Sequence, residues 1–206
     1  MGSKEINFLI ISRLKMTDET LSIRPGELED INTIGFLAQQ IWPETYGAIL
    51  PAEQLQYMLN LFYSPASLRK QMVEEQHQFL IVEQDEDEAI GFASWGVASG
   101  GVASGGVASG SPTAEPGVYK LHKLYVLPGH QGKGLGRTLL QYIFEAIRPE
   151  GASLLRLNVN RHNKARQFYE KMGFAVVKEE DVAIGNNYFM NDYVMEIKVP
   201  EAEPEQ

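Results

Sequence analysis

Leu124-Tyr125-Val126-Leu127-Pro128-Gly129-His130-Gln131-Gly132-Lys133-Gly134-Leu135-Gly136-Arg137 is the stretch on which the reading of this chain turns. Residues 118–127 are rich in apolar and aromatic side chains and read as a strand, which Pro128-Gly129 breaks. Leu135, Leu139, Leu140, Ile143, Phe144 and Ile147 then recur as the stripe of an amphipathic helix. A glycine turn between strand and helix gathers backbone N–H groups and the positive end of the helix at one spot, which suits an anion. Glycine at 132, 134 and 136 removes Cβ atoms that would obstruct phosphate oxygens, and Lys133 and Arg137 add positive charge. Spacing excludes two nucleotide signatures. The ATP-type loop G-x-x-x-x-G-K-S/T, started at Gly129, reaches Gly134 but meets Leu135 where lysine is required, and G-x-G-x-x-G fails at Arg137 and again at Leu139. A glycine turn without any ligand is the plainer alternative.

Downstream, Pro149-Glu150-Gly151 stops the helix, 153–159 reads as a buried strand, and 163–172 as a short helix with Ala165, Phe168, Tyr169 and Met172 on one side, closed by Gly173. Residues 174–183 and 188–199 form a strand pair across Gly185-Asn186-Asn187. Upstream, 21–24 is a first strand, and Pro25-Gly26 leads into a helix placing Ile31, Ile34, Phe36, Leu37 and Ile41 mostly on one face. Trp42-Pro43 is expected to end that helix, leaving Glu44-Thr45-Tyr46 in the break. A second amphipathic run follows over 51–63, then a third helix over 65–75 with Ser64 as its cap and Pro65 at its first position. Residues 78–82 and 89–95 read as a hairpin across an acidic turn. Gly-Val-Ala-Ser-Gly then occurs three times over 96–110. A five-residue unit cannot bury a face, so 96–117 is expected to be a flexible loop, with a functional flap as the sharper alternative.

The order predicts one α/β domain over 19–199, a mixed sheet with helices around it and a right-handed strand-helix-strand crossover at its centre. Residues 1–18 read as a flexible leader and 200–206 as a solvated acidic tail. With 27 Asp and Glu against 18 Lys and Arg, the formal charge of -9 argues against a nucleic-acid partner. The absence of cysteine excludes disulfides, thiolate metal sites and a cysteine nucleophile. No apolar run reaches membrane-span length, and Ile6 stands where an N-myristoylation motif needs Ser or Thr, so the chain reads as soluble and cytoplasmic with no membrane partner. The oligomeric state, including a homodimer, is left open.

Gln131-x-x-Gly134-x-Gly136 after Leu124-Tyr125-Val126-Leu127-Pro128 strongly resembles the acetyl-CoA motif of the GCN5-related N-acetyltransferases, the GNAT superfamily. Asn163-Lys164-Ala165, followed by Phe168-Tyr169-Glu170-Lys171-Met172-Gly173-Phe174, matches the next helix and strand entry in that family's order, and the likeness covers roughly 20–199. Residues 42–46 are weakly similar to a bacterial branch that includes polyamine acetyltransferases.

The resemblance implies a mostly antiparallel mixed sheet flanked by helices, with acetyl-CoA as cosubstrate and the amine of a small molecule or peptide as acceptor. It implies that the turn at Gln131, Gly132, Lys133, Gly134, Leu135, Gly136 and Arg137 holds the pyrophosphate. Leu124, Tyr125 and Val126 would hydrogen-bond the pantetheine arm and polarise the thioester carbonyl, and Asn163 would contact the cofactor. Tyr169 matches the residue that protonates the departing thiolate; a core tyrosine is the alternative. For Asn163 the alternative is a helix cap, and for Lys133 and Arg137 solvated charges. The family has no fixed base for the amine, and Glu44 and His122 are candidates. Rival readings are a non-catalytic acyl-CoA-binding regulatory domain, or transfer of another acyl group or to a hydroxyl.

Overall fold

Residues 12–16, 19–85, 88–100 and 113–201 are described by a computed structural model. Its strands are β1 (Ser12–Met16), β2 (Glu19–Pro25), β3 (Gln78–Gln84), β4 (Glu88–Gly100), β5 (Thr113–Val126), β6 (Leu154–Asn160), β7 (Ala175–Gly185) and β8 (Tyr188–Lys198). Its helices are α1 (Ile31–Tyr46), α2 (Ala52–Tyr63), α3 (Pro65–Val73), α4 (Leu135–Ile147) and α5 (Ala165–Lys171). The strands make one sheet in the order β1-β2-β3-β4-β5-β6-β8-β7. Every neighbouring pair is antiparallel except β5 and β6, which α4 connects as the expected crossover.

Period-two alternation divides the side chains of the sheet between two cores. Leu80, Val82, Ala93, Trp95, Leu121, Leu155 and Leu157 pack with Leu139, Leu140, Ile143 and Ile147 of α4. Phe79, Ile81 and Phe92 pack with Ile34, Leu37 and Ile41 of α1 and Met58, Leu59 and Phe62 of α2. Both faces of β3 are therefore covered, which is why 79–82 is an unbroken apolar run. Each fully buried aliphatic side chain in these layers contributes about 1.5–3 kcal/mol.

Four expectations are corrected. Trp42-Pro43 does not end α1, which continues to Tyr46 with Pro43 inside it. Proline there forfeits a single hydrogen bond and the helix is held by burial of Ile41 and Trp42; Thr45 Oγ1 also donates to the Ile41 carbonyl at 2.9 Å. Phe36 lies off the buried face and is 63% exposed. The repeat does not begin as loop: β4 runs to Gly100 and β5 starts at Thr113, with Ser99 opposite Ala114, because ladder hydrogen bonds need no side chain. Residues 101–112 lie outside the described residues. The segment read as a leader joins the sheet at Ser12–Met16, whose backbone pairs with β2; residues 1–11 and 202–206 lie outside the described residues. The β7–β8 turn holds as read, since Asn186 and Asn187 both take the positive φ, 49° and 57°, of a type I′ turn.

Two irregularities of β5 make room for a site. Ser94 pairs with Lys123 but Trp95 pairs with Leu121, so His122 is an extra residue, a β-bulge. The bulge resets the alternation: Leu121 and Leu124 belong to the α4 side, and Tyr125 to the α1 side. Pairing with β6 covers only Val118–Leu121 against Leu154–Leu157, although both strands continue. Beyond Leu121 they splay.

Candidate active site

A cavity of about 1120 Å³ occupies the splay, and residues from both faces of the sheet line it. Its α4 side is formed by the glycine turn, Leu124, Phe168, Tyr169 and Met172, and its α1 side by Ile41, Glu44, Tyr46, Ile49 and Tyr125. Every residue singled out from the sequence borders it except Lys133.

The glycine turn is open and uncapped. Gly132 and Gly134 have φ of 79° and 86°, in the left-handed region that favours glycine. Among the described residues no side chain caps α4 and no acceptor meets its first amides, and the residues that carry them border the cavity. Gln131 Nε2 donates to the Val126 carbonyl at 3.0 Å, pinning the turn to the end of β5. Gly136 serves packing, since a Cβ there would stand 2.9 Å from Phe168 Cζ and force α4 away from α5. Uncapped amides at one end of the cavity and a strand edge without a partner along its wall fit a pyrophosphate with an extended amide-bearing arm.

Tyr169 is 8% exposed, its ring edge-on to Phe168 and Phe174. Burial pushes its phenol well above the ordinary range, and the nearby Tyr46 hydroxyl pushes it further. The Tyr46 hydroxyl lies 3.2 Å from that of Tyr125, and its ring packs on Trp42 at 4.7 Å. Burial also raises Tyr63 and Tyr125, and each feels its phenol neighbours, so the cluster is held protonated at neutral pH.

The two candidate bases differ in setting. Glu44 sits exposed at the rim. His122 stacks on His77 at 3.7 Å, and burial, His77, Lys120 and Lys123 keep it well below the ordinary imidazole range, which makes it a weak proton acceptor. Asn163 caps α5 through Oδ1, which accepts the Ala165 N–H at 2.9 Å, while its side chain also reaches the Tyr46 hydroxyl.

Three polar residues at the α1 side escaped the sequence reading: Tyr46, Asn158 and Asp192. Tyr46 was hidden by the expectation that Pro43 ends its helix. Asn158 and Asp192 were hidden because their pairing partners across the sheet are set only by the fold. Asn158 donates to Glu180 at 2.9 Å, and Asp192, 6% exposed, stands opposite Asn160 and Glu180.

A model of the acetyltransferase (GNAT) domain matches residues 49–191. The chain belongs to the GNAT acetyltransferase family. Within the GNAT family it is 25% identical over 183 residues to the spermidine N(1)-acetyltransferase of Thermoplasma acidophilum, covering 87% of this chain and 98% of that protein. It is 36% identical over 77 residues to an uncharacterised N-acetyltransferase of Mycobacterium tuberculosis, covering 37% of this chain and 49% of that relative's length. The crystal structure of the PaiA N-acetyltransferase of Thermoplasma acidophilum in complex with coenzyme A superposes with a TM-score of 0.67 at 27% identity, over 86% of this chain and 98% of that one. Among the described residues, no helix is long and apolar enough to cross a membrane.

Proposed function

We propose that this GNAT domain transfers an acetyl group from acetyl-CoA to the primary amine of a small molecule or peptide, directly within a ternary complex. The observation that carries the reading is the cavity at the splayed strands, which joins an uncapped glycine turn to a buried phenol and to the residues of α1 on the other face of the sheet. Amides of 131–137 bind the pyrophosphate, with Arg137 at the rim. The free edge of β5 at 124–126 aligns the pantetheine arm and offers an N–H to the oxygen on which negative charge develops. Acetyl-CoA supplies an activated acyl carbon. Tyr169, kept protonated by burial, gives its proton to the departing sulfur.

The acceptor enters on the α1 side, where Glu44 lines the cavity and Glu180 and Asp192 stand behind Asn158. A cationic amine of polyamine type suits that lining, and the spermidine acetyltransferase among the relatives supports the choice. The test is an amine panel assayed for release of free CoA thiol. Polyamines and basic peptide N-termini are expected to give turnover. Tight acetyl-CoA binding with no release for any amine would identify a non-catalytic acyl-CoA-binding domain instead.

A further inference from the structure

Two carboxylates are buried among the described residues, Asp30 and Asp192. Asp30 is tied into the fold: Arg24 donates to both its oxygens at 2.8 Å, and the Glu27 N–H donates to it at 2.8 Å. Asp192 has no such lock. Among the described residues no arginine fork and no backbone N–H serves it, and the groups it feels are the charges of Lys120, Glu180 and Arg161 and the Asn158 amide. Folding does not call for a carboxylate at this point, because burying one without a full set of donors costs stability. Buried acids of this kind concentrate where chemistry needs them.

Its position is defined by the sheet. Met190, two residues before it on β8, packs in the α1–α2 core, so the alternation turns Asp192 to the same face. Asn158 of β6, on that face, borders the cavity, and Tyr46 at the end of α1 reaches over from the opposite side. Asp192 therefore stands one strand beyond the splay, behind Asn158 and near Tyr46, two residues that line the cavity.

We infer that Asp192 takes the proton of the acceptor ammonium through a bridging water, and that Asn158 and Lys120 hold its carboxylate for that step. This rests on the amine-acetylation reading above. Asp192 accepts one proton from the ammonium; the free amine nitrogen then forms its bond to the acyl carbon as the carbon–sulfur bond breaks. Tyr169 protonates the sulfur, and the second proton lost by the nitrogen restores Tyr169. Asp192 returns its proton to solvent, so each turnover releases one proton.

The groups around Asp192 tune it. Burial raises its carboxyl, to about 6; Lys120 from β5 holds it down, Glu180 from β7 pushes it up, and Asn158 from β6 and Arg161 just beyond that strand hold it down. From α1, Tyr46 faces it as a neutral phenol. An acid in this range is ionised at neutral pH and strong enough as a base to receive the proton.

The test is the pH profile of kcat/KM for an amine that the panel identifies, with acetyl-CoA affinity measured by calorimetry. Wild type is expected to show an acid limb breaking near pH 6. Asp192→Asn is expected to lower kcat/KM about 100-fold or more and to lose that break, with acetyl-CoA affinity unchanged. Glu180→Gln should move the break to lower pH and Lys120→Met to higher pH. Should Asp192→Asn fail to fold, those two shifts decide, and a break that moves in neither variant overturns the inference. Wild-type kcat/KM and an intact limb in Asp192→Asn overturn it alone. A wild-type protein that binds acetyl-CoA yet acetylates no amine overturns the transferase reading, and this inference with it.

Discussion

Tyr169 and Lys123 show how burial gives similar shells opposite consequences. In Tyr169 burial favours the neutral phenol, the form that can donate a proton. Tyr169→Phe should lower kcat about 100-fold while leaving acetyl-CoA affinity within about twofold, as read by single-turnover kinetics and calorimetry. Lys123 is 5% exposed, donates to Gln71 Oε1, lies 5.5 Å from the Tyr63 ring centroid, and is lowered to about 7, chiefly by burial. Unfolded, it binds its proton up to about 10.5. Between those values the unfolded chain holds more protons, so stability rises with pH across the window. Lys123→Met removes this dependence. Its melting temperature relative to wild type should be highest at pH 6 and decline toward pH 10.5, above a constant offset of about 1–3 kcal/mol for the abandoned Gln71 acceptor. The place of Tyr169 beside the cavity was legible because a motif surrounds it. Lys123 was not, since a lysine in a strand reads as solvated until an overlying helix is known.

The glycine turn and α1 were unequally legible as elements. Helical periodicity and glycine spacing depend on neighbours in the chain, so α4 and its entry could be read within a residue or two. Gly134→Val should strain a backbone at φ 86° and disturb the amides beyond it, weakening acetyl-CoA binding at least about tenfold by calorimetry. Retained affinity would remove the pyrophosphate from this turn. The end of α1 depended instead on the aromatic layer under Trp42, which packs on Tyr46, Tyr63 and Tyr125. That layer is assembled from three elements distant in sequence, so local reading stopped the helix at its proline. The α1 side of the cavity was obscured for the same reason: Tyr46, Asn158 and Asp192 come from α1, β6 and β8 and share no spacing.

For the molecule as a whole, the order of elements and the parallel crossover followed from the sequence, whereas the β5 bulge and the splay did not, because both are relations between strands. The sheet also separates duties by distance. β1 is four strands from β5, at the far edge from β8. Removing residues 1–16 should lower the melting temperature by a few degrees, about 1 kcal/mol of edge pairing, and leave acetyl-CoA affinity unchanged. A change in affinity would show that this edge communicates with the cavity.

The splay of β5 and β6 is a gap through the sheet, bordered on one face by α4 and α5 and on the other by α1. On the proposed reading, a donor held on the α4 side and an acceptor on the α1 side do not block each other's route. Neither would then need to arrive first, and either product should be able to depart while the other remains. Free CoA should therefore compete with acetyl-CoA but not with the amine, and the acetylated product should compete with the amine but not with acetyl-CoA. A site reached from one face alone would impose a sequence of arrival and departure; on the proposed reading the encounter itself, rather than queueing, is the condition for turnover.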